Sequence, residues 1–243
     1  MSATERTLVV VPALNEEHSI ANVVRSIRAG GWDCLVVNDG STDRTSSIAV
    51  ESGATVVSLA TNLGVGAALR TGFRYAVEHG YSRVVQCDGD GQHRVDNISL
   101  LVDTARENGA DLVIGSRFLR QSEDSMSVPS HRRLVMRLLS WIVRNQSEVT
   151  VTDTTSGFKC VSQPLLGEFA QQFPAHFLGD SFEACLVAAR NGYSVMEIPT
   201  SMNDRLHGQS SASPIQAVRF IVRSVAVAFL GLTFAINKKS VHQ

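Results

Sequence analysis

The sequence predicts an α/β domain built on a mainly parallel β-sheet covered by helices on both faces. Three observations lead there. Short apolar, β-rich runs alternate with helical patterns along the first half of the chain. Strands buried on both faces read as such unbroken runs, and crossovers between parallel strands are commonly helices. The length of 243 residues, 44% of them hydrophobic, suits one compact domain whose core needs no disulfide or structural metal.

In chain order, strands are expected at Thr7–Val11, Cys34–Asn38, Thr55–Ser58, Arg83–Cys87 and Leu112–Gly115. Helices are expected at Glu16–Ala29, Asp43–Glu51, Val65–Glu78 and Asp96–Glu107. Arg120–Ser130 is polar and reads as a loop. A helix at His131–Arg144, a strand at Phe158–Val161, a helix at Asp180–Asn191, a strand at Ser194–Ile198 and a helix after Pro214 complete the pattern. Residues 1–213 form the main domain in this reading, and 214–243 a C-terminal amphipathic or apolar helix and tail.

Composition excludes some functions. The formal net charge of −1 and pI near 6.7 argue against a general nucleic-acid surface. Cys34, Cys87, Cys160 and Cys185 are widely spaced, form no CxxC pair, and read as reduced thiols of an intracellular protein without a zinc site. No signal peptide precedes the first strand, and Ser224–Asn237, the longest uncharged stretch, falls short of the ~20 residues that span a bilayer. The expected location is cytoplasmic, either soluble or peripheral at the inner face of the membrane.

Ligands of open α/β sheets bind beyond the carboxyl ends of the strands. The first two strands end in Val11-Pro12-Ala13-Leu14-Asn15-Glu16-Glu17 and Val37-Asn38-Asp39-Gly40-Ser41-Thr42-Asp43. Asp39 is placed to accept hydrogen bonds from a base or ribose, while Asn15 and Asp43 also suit helix N-caps. The Asn62–Gly72 stretch lacks the spacing of a phosphate loop, so its small residues are read as close helix-to-sheet packing.

The sharpest signal is Gln86-Cys87-Asp88-Gly89-Asp90-Gly91-Gln92-His93. Paired carboxylates repel one another, and a divalent cation relieves that cost. Mg²⁺ or Mn²⁺ takes oxygen ligands and commonly bridges carboxylates to phosphates. An EF-hand is excluded because the twelfth loop position is Ser99 rather than Glu. A plain Asp-Gly turn is the alternative.

The ordered set VVVPALNEE, VVNDGSTD, NLGVGAALRTGFRYA, QCDGDGQH and DLVIGSRF resembles glycosyltransferase family 2 with the GT-A fold, in its dolichol- or polyprenyl-phosphate branch. The resemblance runs from Leu8 to Ser211. It implies a three-layer sandwich and inverting transfer of a hexose from a GDP- or UDP-sugar. It assigns Asp88, Asp90 and Gln92 to the metal, and Pro12, Leu14, Glu16, Asp39 and Gly89 to the donor site. Arg117 would face the donor phosphates, and Arg205, in Arg205-Leu206-His207-Gly208-Gln209-Ser210, would close over the pyrophosphate. Leu14 stands where the family commonly carries an aromatic residue.

Further along, Asp153-Thr154-Thr155-Ser156-Gly157-Phe158 resembles the family's acceptor-side DxxSGF segment, which assigns Asp153 and Ser156 there. Asp180 and Glu183 lie where related enzymes carry acidic acceptor residues, and they equally fit a capping box. Ser130, Arg133, Arg137, Ser140 and Arg144 line one helical face, with Leu134, Val135, Leu138, Trp141 and Ile142 on others. A basic amphipathic helix suits an anionic membrane surface, and an ordinary packed helix is the alternative. Arg132 lies off the stripe, within reach of an acceptor phosphate, as Arg133 also is. The C-terminal helix would meet the membrane or a small membrane protein. Other readings remain open: a sugar-hydroxyl acceptor, a sugar nucleotidyltransferase, or a non-catalytic nucleotide-sugar module.

Overall fold

The computed structural model describes residues 5–119, 130–146, 149–173 and 180–202. In chain order these form β1 (Thr7–Ala13), α1 (Ile20–Ala29), β2 (Asp33–Asn38), α2 (Thr45–Glu51), β3 (Thr55–Ser58), α3 (Val65–Glu78) and β4 (Arg83–Gln86). Then follow α4 (Asn97–Asn108), β5 (Leu112–Ser116), α5 (Ser130–Gln146), β6 (Lys159–Ser162), α6 (Leu165–Gln172), α7 (Asp180–Arg190) and β7 (Val195–Pro199). The seven strands make one sheet in the order β3-β2-β1-β4-β6-β5-β7. Only β6 runs antiparallel to its neighbours β4 and β5.

Alternation along the strands splits the core in two. Leu8, Val10, Leu35, Val37 and Val84 face a layer that includes Leu69 and Phe73 of α3, Leu139 and Ile142 of α5, Phe169 of α6 and Phe182 of α7. Val9, Val11, Val36 and Val85 face Ile20, Val24 and Ile27 of α1, Ala49 of α2 and Ile98 and Leu101 of α4. The result is the expected three-layer sandwich. Every residue of β1 is buried, which is why its sequence shows no polar alternation.

The expected elements are present with shifted ends, and α6 is an addition. Its eight residues contain Gly167, and both features weaken a helical signal. The largest shift is at α1, which starts at Ile20 instead of Glu16. Asn15 holds φ +56°, so the chain turns before it can coil. The helix expected after Pro214 and the boundary at residue 213 lie outside the described residues.

The small residues of α3 act as the sequence suggested. A Cβ on Gly72 would overlap the Val10 side chain of β1, so the helix packs on the strand without a spacer. Gly72→Ala gains about 1 kcal/mol of helix propensity. Overpacking costs about 1–3 kcal/mol and should dominate. Urea unfolding should therefore show Gly72→Ala destabilised, with partial recovery when Val10→Ala is added; a stabilised single variant would contradict this packing.

Candidate active site

The carboxyl ends of β1 and β2 are fastened together by side chains from both loops. Asn15 N–H donates to Ser41 Oγ at 3.0 Å, and Thr42 N–H donates back to Asn15 Oδ1 at 2.9 Å. Glu16 N–H donates to Thr45 Oγ1 at 2.8 Å, and Glu17 N–H to Asp43 Oδ2 at 3.2 Å. Asp43 also accepts from Thr45 N–H at 2.9 Å. Burial tends to raise the Asp43 pKa, but the Thr45 hydroxyl bond and the main-chain N–H bonds from Thr45 and Glu17 together hold it below the ordinary carboxylate value. Asp43 does not take the N-cap position expected of it; Arg44 does, and Asp43 instead accepts from Thr45 N–H in a tight turn at the head of α2. Asn15 does not cap α1; Ser19 occupies that position.

Asp39 is 3% exposed and accepts from Leu63 N–H at 2.8 Å and Gly64 N–H at 2.9 Å. It therefore fixes the turn that opens α3, and each carboxylate oxygen keeps a lone pair for a ligand. Gly40, at φ +74°, is pressed against this turn, where a Cβ would come within 2.6 Å of Asn62 N. Pro12 is buried, while Leu14 and Glu16 are half-buried. Glu16 Oε2 accepts from Ser19 Oγ at 2.8 Å.

The acidic loop leaves β4 and crosses the end of β1. A Cβ on Gly89 would lie 3.3 Å from the Pro12 carbonyl and 3.6 Å from Glu16 Cγ. Asp90 Oδ1 accepts from Gln92 N–H at 3.0 Å, which curls the loop into a tight turn with Gly91 at φ +78°. The Asp88 side chain is 41% exposed. Its carboxylate rests on Gly157, where a Cβ would fall 2.8 Å from Oδ2 and 3.0 Å from Oδ1. The glycine of the Ser-Gly-Phe segment is thus a cradle for an acidic group from another strand. Among the described residues no three His, Cys, Asp or Glu side chains form a metal cluster. The half-exposed Asp88 carboxylate, in the same loop as Asp90, suits a cation such as Mg²⁺, which takes one or two carboxylates and completes its shell with phosphate and water.

Arg117, just after β5, bonds to Asp153 in a fork: Nε to Oδ2 at 2.8 Å and Nη2 to Oδ1 at 2.9 Å. Nη2 also donates to Thr155 Oγ1 at 3.1 Å. Asp153 is fully buried. Burial works against the Arg117 charge, but the Asp153 hydrogen bonds and the charges of Asp153 and Asp88 outweigh it and raise the Arg117 pKa. Arg117 is thus held as a fixed cation in the field of Asp88. Ser156 Oγ donates to the Gly115 carbonyl at 2.7 Å and accepts from Phe158 N–H at 3.2 Å. Asp153 and Ser156, expected at the acceptor, have their polar atoms engaged in holding this turn and Arg117.

Sequence reasoning missed Glu197 of β7. It accepts from Thr152 N–H at 2.8 Å, Thr152 Oγ1 at 2.9 Å and Asp153 N–H at 2.7 Å. A lone acid in Val195–Pro199 was the only available sign. Arg205 lies outside the described residues, as do the side chains of Arg132, Arg133 and Asp180. Glu183 is buried one turn into α7. On α5, Leu139, Ile142 and Val143 are buried, while Arg137, Leu138, Trp141 and Arg144 are exposed. Leu138 and Trp141 therefore share the outer face with the arginines, and Ser140 turns away to donate to the Thr152 carbonyl at 3.2 Å.

Comparison with known proteins gives a consistent picture. The Glycosyl transferase family 2 profile matches residues 8–163. Polyprenol monophosphomannose synthase of Mycolicibacterium smegmatis is 31% identical over 220 residues, which cover 86% of this chain and 82% of that protein. Undecaprenyl-phosphate mannosyltransferase of Micrococcus luteus is 28% identical over 216 residues, covering 86% and 88% respectively. Among solved structures, glucosyl-3-phosphoglycerate synthase from Mycobacterium tuberculosis with Mg²⁺ and uridine diphosphate superposes with a TM-score of 0.69 at 22% identity, over 93% of this chain and 79% of that one. That likeness shows the GT-A fold. With the profile match running from β1 through β6, the chain belongs to glycosyl transferase family 2 and is a glycosyltransferase.

Proposed function

We propose that this enzyme moves a hexose from a GDP- or UDP-sugar to a polyprenyl phosphate, with inversion, in the synthesis of cell-envelope or other glycoconjugates. The observation that carries the donor half is the Arg117 guanidinium, fixed by Asp153 beside Asp88 at the carboxyl ends of the strands. Glycosyl transfer leaves a diphosphate, and a pre-positioned cation stabilises that charge as it develops. Asp88 and Asp90, with Gln92, would hold Mg²⁺ or Mn²⁺, which when bound supplies further neutralisation of the diphosphate. Pro12, Leu14, Glu16 and Asp39 would line the nucleotide, and Arg205 would reach the pyrophosphate.

The acceptor half is supported by relatives named for polyprenol and undecaprenyl phosphate. A phosphate monoester has a second pKa of about 6, so it is an anionic nucleophile at neutral pH and needs no general base. Arg132 and Arg133, near the start of α5, would hold it. Glu183 is buried in α7, and in this reading it is a structural carboxylate rather than a base. The outer face of α5, with Arg137 and Arg144 flanking Leu138 and Trp141, suits the surface of an anionic bilayer. Among the described residues no helix is long and apolar enough to cross a membrane. This face, the expected C-terminal helix or a small membrane protein would bring the enzyme to its lipid.

Chelation with EDTA should abolish transfer, and Mg²⁺ or Mn²⁺ should restore it. Asp90→Asn should lower kcat by about a hundredfold, the scale of one lost electrostatic stabiliser. Full activity of that variant in chelator would remove the metal assignment. For the acceptor, Arg132→Ala should raise its KM with kcat little changed, and Glu183→Gln should alter stability more than rate. Collapse of kcat in Glu183→Gln or Asp180→Asn, with Arg132→Ala mild, would indicate a hydroxyl acceptor that needs a base. Sedimentation with anionic liposomes should show binding that weakens with salt, at about 1 kcal/mol per basic residue. Arg133→Glu, Arg137→Glu and Arg144→Glu together should release the protein. A wild-type protein indifferent to such liposomes at low salt would make α5 an ordinary packed helix.

A further inference from the structure

His93 ends the motif that begins at Asp88, and nothing above gives it a task. Its side chain is 5% exposed and stacks on Phe158 with ring centroids 4.9 Å apart. Buried ring nitrogens need partners inside the protein. Asp88 N–H donates to His93 Nδ1 at 3.1 Å. A ring nitrogen that accepts a hydrogen bond carries no proton, so the proton sits on Nε2. Nε2 lies 3.6 Å from Asp88 Oδ2. That is longer than a hydrogen bond, yet it sets the ring N–H beside the carboxylate. Gly157 closes a further side of the same carboxylate. The His93 main chain also pairs with Met202, which anchors the ring independently of the acidic loop.

We propose that His93 is a positioning residue: a neutral imidazole, its tautomer dictated by the Asp88 main chain, orients the Asp88 carboxylate for a divalent cation. This rests on the reading of Asp88 as a cation ligand. Partners behind a metal ligand fix its direction, and their loss typically weakens metal affinity by about 10–100-fold. Packing alone would need only a flat ring on Phe158, which phenylalanine supplies.

The test uses the two amides that each copy one ring nitrogen. An asparagine amide oxygen reaches the place of Nδ1 and keeps the acceptor for Asp88 N–H. A glutamine amide nitrogen reaches the place of Nε2 and keeps the donor towards Oδ2. Mn²⁺ binding to the full chain would be titrated by electron paramagnetic resonance with excess UDP and, separately, excess GDP. His93→Gln should stay within a few-fold of wild type, while His93→Asn and His93→Phe should bind Mn²⁺ about 10–100-fold more weakly. Equal affinity of His93→Asn and His93→Gln, or wild-type affinity in His93→Phe, would overturn the proposal. If His93→Phe fails to fold, the Asn–Gln comparison decides alone. A wild-type protein that takes up no Mn²⁺ with either nucleotide would overturn the metal reading itself, and this inference with it.

Discussion

The site hangs on the buried ion pair between Arg117 and Asp153. Asp153 is wholly enclosed, and its carboxylate takes two bonds from the guanidinium as well as the Arg117 main-chain N–H at 3.2 Å. A buried pair of this kind adds little net stability, but removing one partner is costly because the other charge is stranded. Its value here is geometric. The loop after β5 and the segment before β6 are locked to each other, and Glu197 secures that segment from β7. The same segment supplies Gly157, on which Asp88 rests. One ion pair thus fixes the Arg117 cation near the segment on which the Asp88 carboxylate rests.

The neighbouring half of the site is built differently. The loops after β1 and β2 carry many side chains that bond to main-chain N–H groups of the opposite loop. These N–H groups would otherwise need water, because strand and helix leave them unpaired. Asn15 takes a left-handed conformation, for which asparagine has a small penalty, and α1 starts late as a result. Helix length is given up for a loop pair tied together next to Pro12, Leu14 and Asp39. Preorganisation of this kind would serve the proposed nucleotide site.

Much of this was legible in the sequence, for identifiable reasons. Strands β1, β2 and β4 read as unbroken apolar runs because helices cover both faces. The acidic loop was legible because two carboxylates two residues apart after a strand have few structural uses. The packing role of Gly72 followed from the absence of any phosphate-loop spacing around it. Other features depend on tertiary contacts that no local pattern carries. The reversed direction of β6 is set by its neighbours. Glu197 binds partners 44–45 residues away, and the His93 ring stacks on Phe158 of a distant segment. The outward turn of Leu138 and Trp141 depends on which side of α5 meets the core, and periodicity alone assigns them only to a stripe.

In the proposed function the acidic loop and Arg117 jointly hold the diphosphate of the donor. Anomalous diffraction at the manganese edge, from crystals grown with Mn²⁺ and UDP or GDP, tests it most directly. One strong peak is expected within about 2.0–2.6 Å of Asp88 or Asp90 carboxylate oxygens, the range of hard-cation ligation. Diphosphate oxygens are expected between that peak and the Arg117 guanidinium. A nucleotide bound with its phosphates away from Arg117, or a manganese peak that touches neither aspartate, would contradict it.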